Sequence, residues 1–232
     1  MLTRPGSIDE IYLERGDVSP HRPVLQGDVF KGIVIPGVGL EHDLIAVAMH
    51  PCTMRRGPHL VDRVKAHPVT AHENVDLERW GDSYFRVYPL PELRDGQNCA
   101  VRFDEVGMIP ALELRRERRV ATLSDRGILL FQQRQVFADT RAVISIETLG
   151  LASAAVLAEA ELLEEWNEHL VTDSENDELE AALRHQAVEF DTYLGATTEK
   201  TTLREMLRDE HSRSAVRKAV RAEVRRRVAA AG

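Results

Sequence analysis

The densest chemistry in this 232-residue chain lies between His21 and His72. Six of the nine histidines fall there: His21, His42, His50, His59, His67 and His72. The loop His50-Pro-Cys-Thr-Met-Arg-Arg-Gly57 adds Cys52, Arg55 and Arg56. Imidazole and thiolate bind zinc, but zinc sites place their ligands in pairs at short, fixed spacings. His50 and Cys52 form H-x-C with no second pair, so the spacing argues against a metal, and no cofactor is expected. A Cys52 nucleophile would need a lowered thiol pKa, a His base and an orienting Asn or Asp. Arg55 and Arg56 favour the first and His50 offers the second, but the pattern supplies no third. The plain reading is an inert thiol among strand-end histidines. A second basic cluster, Arg115-Arg-Glu-Arg-Arg119, offers guanidinium groups to phosphate. Aromatic neighbours are sparse there, so base stacking is not indicated and a solvated turn competes with it.

The elements that must position these residues are mostly short strands. Gly27-Asp-Val-Phe-Lys-Gly-Ile-Val-Ile35 and Leu44-Ile-Ala-Val-Ala-Met49 are apolar and β-branched, with the turn Pro36-Gly-Val-Gly39 between them. Leu60 to Val69 is a third strand, with Pro68 expected at an edge or strand end. Tyr84 to Tyr88, Ala100 to Val106, Met108 to Leu112 and Val120 to Leu123 read as further strands. Pro89-Leu-Pro91 and Arg94-Asp-Gly-Gln97 read as turns. Ser124-Asp-Arg126 caps a helix carrying Leu129, Leu130, Gln133, Val136 and Phe137. Thr140 to Leu149 returns to β character. Near the start, Ser7-Ile-Asp-Glu10 reads as the cap of a short helix that ends near Gly16.

After Leu151 turn residues nearly vanish, and three helices are expected: Ala152 to Val171, Asn176 to Leu194 and Thr202 to Val228, the last opened by a capping box at Thr202 and Glu205. Trp166, spaced with Leu162, Leu163 and Leu170, reads as core or partner-facing packing. The net charge of −8 is unevenly spread. From Glu159 to Asp191 there are twelve acids against one base, and from Leu203 to Val228 nine bases against four acids. Such blocks fold against each other, dock a partner or stay solvated. The basic helix, with Arg217, Lys218, Arg221, Arg225, Arg226 and Arg227, favours docking over nucleic acid.

With 43% hydrophobic and 29% charged residues, the composition is that of a soluble globular protein. No apolar run approaches the ~20 residues of a membrane span, and the N-terminus lacks an apolar signal core. Two cysteines make no disulfide framework, so a reducing cytoplasm is expected. The expected organisation is an N-terminal extension with a short helix (1–25), a β-barrel domain (26–150) and a helical C-terminal region (151–232).

The order of motifs from about Gln26 to Phe137 resembles the PemK/MazF family. These motifs are the strand opening Gly27-Asp-Val-Phe30, the strand ending in Pro68-Val-Thr70, and Arg119-Val-Ala-Thr-Leu-Ser124 entering an amphipathic helix. The resemblance implies an α+β fold: a small SH3-like β-barrel with one packed helix, here followed by an α-helical C-terminal region. Active members are toxin endoribonucleases of toxin–antitoxin systems that need no metal. They use an Arg before the second strand and a Thr at the end of the third. Thr70 matches the Thr. No Arg precedes Leu44, where the chain reads Gly39-Leu-Glu-His-Asp43, and Arg22-Pro-Val24 comes before the barrel. His42 lies where the Arg would be, and imidazole serves as acid or base near neutral pH. Arg55 and Arg56 would supply charge to the developing phosphorane.

A rearranged catalytic set of Thr70, His42 and Arg55 therefore follows, with Arg55, Arg56, Arg115 and Arg116 as nucleic-acid contacts. The resemblance also implies a homodimer. Antitoxin tails of this family are acidic and lie in the RNA groove, so the acidic stretch is a candidate for that role in cis. Two functions stay open. One is a divergent RNA- or nucleic-acid-binding barrel with ribonuclease activity retained or lost. The other is a non-catalytic interaction subunit of a bacterial stress-response or phage-defence assembly, docking a protein partner through its C-terminal helices. No membrane partner is expected.

Overall fold

The computed structural model describes residues 1–39, 42–172, 176–198 and 201–231. In chain order the elements are β1 (Tyr12–Glu14), β2 (Val29–Lys31), β3 (Leu44–Val47), α1 (Pro51–Met54), β4 (Arg55–Arg56), β5 (His59–Leu60) and β6 (Arg63–Ala71). Then follow β7 (Val87–Arg94), β8 (Gln97–Arg102), β9 (Gly107–Pro110), β10 (Arg119–Leu123), α2 (Asp125–Thr140), α3 (Ile146–Leu170) and α4 (Asn176–Gly195). The chain ends with β11 (Thr197–Thr198), β12 (Thr201–Thr202), α5 (Leu203–Met206) and α6 (Glu210–Ala231). Among the described residues no helix is long and apolar enough to cross a membrane.

Two compact units divide the chain. The first comprises Met1–Val18, Val24–Met54 and Val61–Ala152, the second Ser19–Pro23, Arg55–Leu60 and Ser153–Gly232. The fold is α+β, a nearly closed antiparallel barrel-like sheet with helices and a helical C-terminal region, as the sequence predicts.

In the first unit the strands run in the order β1-β10-β2-β3-β6-β8-β7, with β9 also paired to β6. All four residues of β3 are buried, which is why this run is continuously apolar rather than alternating. The end strands β1 and β7 are bridged by a buried hydrogen bond, Tyr12 Oη donating to the Pro91 carbonyl at 2.6 Å. That bond uses polar groups an open sheet edge would leave unpaired. The Tyr12 hydroxyl is pushed up to about 12, chiefly by burial, and stays protonated. Helix α2 is capped by Ser124, whose hydroxyl accepts from the Gly127 amide at 2.9 Å. It runs so close to β1 that a Cβ at Gly127 would lie 1.9 Å from the Ile11 carbonyl oxygen.

Several expectations are corrected. Residues 7–13 form no helix: Ile11 and Tyr12 are buried, and Tyr12 pairs with Leu123 as part of β1. The strand from Val29 stops at Lys31, because Gly32 turns the chain at φ +68. Pro89-Leu-Pro91 is strand, not turn. Its β7 is an end strand, and a missing N–H costs nothing on the side without a ladder partner. The predicted strand at Tyr84 begins only at Val87. Pro68 is not at an edge: it sits inside β6, opposite Ile45. On the other flank β6 pairs with β9 up to Ala66 and with β8 from Val69, so Pro68 falls in the gap between two ladders. Thr140 to Leu149 holds no strand, because α3 begins at Ile146. The last helix is two, α5 and α6, though the capping box of Thr202 and Glu205 is present. The Asp95-Gly96 turn joins β7 to β8 as read, both residues at positive φ.

The core of the second unit gathers Leu162, Leu163 and Trp166 of α3, Phe190 and Leu194 of α4, and Val216, Val220 and Val224 of α6. Burying each such side chain contributes about 1.5–3 kcal/mol. The charge blocks lie on the flanks of this core and neutralise one another. Arg217 pairs with Glu161, Arg221 with Glu165, Arg227 with Glu189, and Arg204 with Glu159 and Asp191. Partly exposed pairs of this kind are individually worth only ~0–1 kcal/mol, so they set register more than stability.

Candidate functional site

Thr70 is half-buried on β6, opposite Ala100 of β8. The register that pairs Leu44 with Val69 carries the chain before β3 alongside Thr70, so His42 lies at the same end of that ladder. The His42 Nε2 accepts the Ile35 amide at 3.4 Å. Leu40 and Glu41, in the segment before β3, lie outside the described residues. Arg55 is buried on β4 in the second unit, Nη1 donating to the Pro58 carbonyl at 3.0 Å. Exposed Arg56 pairs with His59 across the same two-stranded ribbon. Thr70 and His42 thus belong to the first unit, and Arg55 and Arg56 to the second.

The basic cluster is engaged locally. Arg115 pairs with Glu117 at 2.7 Å, Arg118 with Glu113 at 2.9 Å, and buried Arg119 with Asp28 at 3.3 Å; half-buried Arg116 opens the 3-10 turn Arg116–Arg118. At the other loop, desolvation pushes the Cys52 thiol up and the His50 imidazole down. That is the opposite of what a thiolate nucleophile requires. Among the described residues no three His, Cys, Asp or Glu side chains gather to hold a metal.

Chemistry gathers elsewhere in the first unit, where β6 runs out. His72 extends the ladder, its amide donating to the Asn98 carbonyl at 2.9 Å. The chain then loops and is tied to itself by Tyr84, whose hydroxyl accepts the Asp76 amide at 2.8 Å and donates to the Asn74 carbonyl at 3.4 Å. Tyr84 sits at φ +60, a strained position for an aromatic residue. What holds it is Arg134 of α2. This guanidinium, 1% exposed, donates to the carbonyls of Trp80, Ser83 and Tyr84 at 2.6, 2.7 and 2.8 Å. It also lies 4.9 Å over the Trp80 ring. Burial brings its pKa down to about 10, so it is still charged at pH 7.

One turn beyond Arg134, Phe137 meets Phe85 at 5.3 Å between ring centroids. Helix α2 ends at Arg141, whose left-handed backbone (φ +64) turns the guanidinium back over the Phe137 ring at 5.5 Å. The result is an open cleft of about 570 Å³ lined by His72, Tyr84, Phe85, Val87 and Phe137 together with Arg86 and Arg141. Phe85 is 40% exposed, and both arginines are exposed. The His72 imidazole is held below its ordinary pKa by desolvation and then by Arg102, with Glu73 opposing, so it is neutral at pH 7.

A run of edge-to-face rings leads inward from this cleft: His72 to Tyr84, Tyr84 to Trp80, Trp80 to Tyr88, Tyr88 to Phe131, Phe131 to Phe103 and Phe103 to His67. Each such pair adds about 0.5–1.5 kcal/mol beyond burial. The cleft wall is therefore continuous with the barrel core. At the inner end His67 is 2% exposed, its Nδ1–H donating to the Glu105 carbonyl at 2.6 Å and its Nε2 facing the Gln135 amide nitrogen at 3.5 Å. Gln135 and Gln132 in turn bond Gln26. Helix α2 thus buries Gln132, Gln133 and Arg134 beside Ile128, Leu130 and Phe131, a polar stripe that its apolar spacing does not reveal.

Nothing in the sequence assigns Phe85, Arg86, Arg134, Phe137 or Arg141 to a site; Phe137 reads there only as a residue of the helix after Ser124. The pair Tyr84-Phe85 is a local aromatic signal, but nothing local links it to a helix ending more than fifty residues later. No family model matches the chain, and no curated protein matches it.

Proposed function

We propose that this protein is a divergent PemK/MazF-like barrel that binds single-stranded RNA, with the aromatic–arginine cleft as its binding face. The observation that carries this reading is Arg141 stacked on Phe137 beside an exposed Phe85, with Arg86 alongside. Unpaired bases stack on aromatic faces and on guanidinium planes, and arginines neutralise the phosphates between them. A small apolar ligand would leave two exposed guanidinium groups without a role. The order of strands and motifs from Gln26 to Phe137 supports the family likeness. The mutual pairing of the acidic and basic helices supports a contact face in the barrel rather than on α6.

The test is fluorescence anisotropy of a labelled single-stranded RNA 12-mer against wild type, Phe85→Ala and Arg141→Gln. Loss of one stacking platform is expected to weaken binding about tenfold. Two phosphate contacts give a log–log salt slope of about −1.4. Equal affinity of wild type and Phe85→Ala, or tighter binding of duplex than of single strand, sinks the reading. The same reactions run on a denaturing gel with chelator separate the two forms of it. Intact RNA assigns the cleft to binding, and shortened RNA assigns it to metal-independent cleavage.

A further inference from the structure

We propose that the binding face continues past His72 into a second, polar cleft that selects guanine; this rests on the RNA-binding reading above. The second cleft measures about 600 Å³ and lies between Ala71–Asn74 and Gly96–Asn98, with His72 lining both clefts. Its floor is fixed. The Asn98 amide nitrogen donates to the Glu73 carbonyl at 3.2 Å, and its oxygen accepts from the Glu92 amide at 3.1 Å. The tight turn at Asp95 and Gly96, both at positive φ, sets Gln97 exposed on the opposite wall. Asn98 is thus consumed in holding the cleft. The side chains of Glu73, Asn74 and Gln97 make no hydrogen bond to any described residue.

Two uncommitted amides and a carboxylate beside a stacking cleft are the groups that read a base edge. A carboxylate repels the phosphate chain and only accepts hydrogen bonds, so its partner is a base that offers donors. Guanine alone presents two adjacent donor groups, N1–H and the N2 amine, on its Watson–Crick edge, and the two oxygens of one carboxylate accept both. Adenine, cytosine and uracil each offer one donor group there. The division of labour follows: the aromatic–arginine cleft takes a stacked base and its phosphates, and Glu73 takes the edge of the neighbouring guanine, with Gln97 and Asn74 beside it.

The experiment is anisotropy with three labelled RNA hexamers: oligouridine, the same strand with one guanosine, and the same strand with inosine at that place. Wild type is expected to bind the guanosine strand about tenfold more tightly than the other two. Glu73→Ala is expected to abolish that preference while binding oligouridine at least as tightly as wild type, since a charge that repels the phosphate chain is gone; retained oligouridine binding also shows that the variant is folded. Equal binding of guanosine and oligouridine strands by wild type overturns the second cleft and leaves the first standing. Equal binding of guanosine and inosine strands overturns the two-donor reading, as does a preference that survives in Glu73→Ala. Failure of wild type to bind any of the three overturns both clefts.

Discussion

Arg134 donates one hydrogen bond of 2.8 Å to the carbonyl of Tyr84, fifty positions away in the chain, and that carbonyl belongs to a residue held at positive φ. A buried guanidinium here does what a glycine does elsewhere: it makes a strained backbone tolerable. Its desolvation cost is offset by three charge-assisted bonds and the Trp80 face. Arg134→Met is expected to lower unfolding free energy by about 3 kcal/mol, since three carbonyls lose their donor. It is also expected to reduce RNA affinity as much as Phe85→Ala. Urea denaturation and anisotropy read the two effects separately. Full affinity in Arg134→Met would show that the cleft does not depend on this cage.

A second buried cation gives a sharper energetic test. Asp28 is fully buried and receives the Leu25 amide at 3.1 Å, the Thr122 hydroxyl, and Arg119 of β10 at 3.3 Å. Asp28→Ala removes the buried carboxylate that pairs with Arg119 and accepts from Leu25 and Thr122, and is expected to cost about 3–5 kcal/mol. The double change Asp28→Ala, Arg119→Met is expected to recover at least half of that, because both members of the buried ion pair are then removed together. A double variant as unstable as the single one contradicts this account.

His67 makes stability depend on pH. Desolvation holds its imidazole below the ordinary value, against a raising contribution from the Glu105 carbonyl. The folded state therefore keeps His67 neutral where the unfolded chain, with an ordinary pKa near 6.5, takes up a proton. Its contribution is complete above about pH 6.5 and is lost as pH falls from there toward the lowered folded value. His67→Gln is expected to be less stable at pH 7.5 but to show a flatter decline between pH 6.5 and 5 in thermal melts. Parallel declines for the two proteins would assign the acid sensitivity elsewhere.

In the second unit Arg227 joins three partners: Glu223 at 2.8 Å, Glu189 of α4 at 3.0 Å and the Trp166 ring at 4.7 Å. Arg227→Ala is expected to cost about 1–2 kcal/mol, and Arg227→Lys to restore less than half, since an ammonium neither forks nor stacks. Glu223 is held down to about 2, first by Arg226 and then by Arg227. Its contribution is present above the ordinary carboxylate range and fades as pH falls from about 4.5 toward 2. Calorimetry at pH 7 and pH 3 would show the Arg227→Ala penalty shrinking in acid. An undiminished penalty at pH 3 points to the Trp166 contact instead of the carboxylates.

The α+β class, the strand at Leu44, the cap at Ser124, the Asp95-Gly96 turn and the box at Thr202 were all legible in the sequence. Each depends on residues within a few positions of one another, or on a period that burial imposes along one element. The pairing of acidic with basic helices was also written there, as one of three stated outcomes. Tertiary structure decided the rest. Tyr12 became strand because Leu123 and Pro91 were there to meet it, and Pro89 and Pro91 were tolerated because β7 is an end strand. The cleft joins His72, Phe85 and Arg141, residues from three separate segments, around a buried Arg134 whose acceptors are all backbone carbonyls. Backbone carbonyls are the same at every position of a sequence, so only the folded chain shows which of them a guanidinium will find.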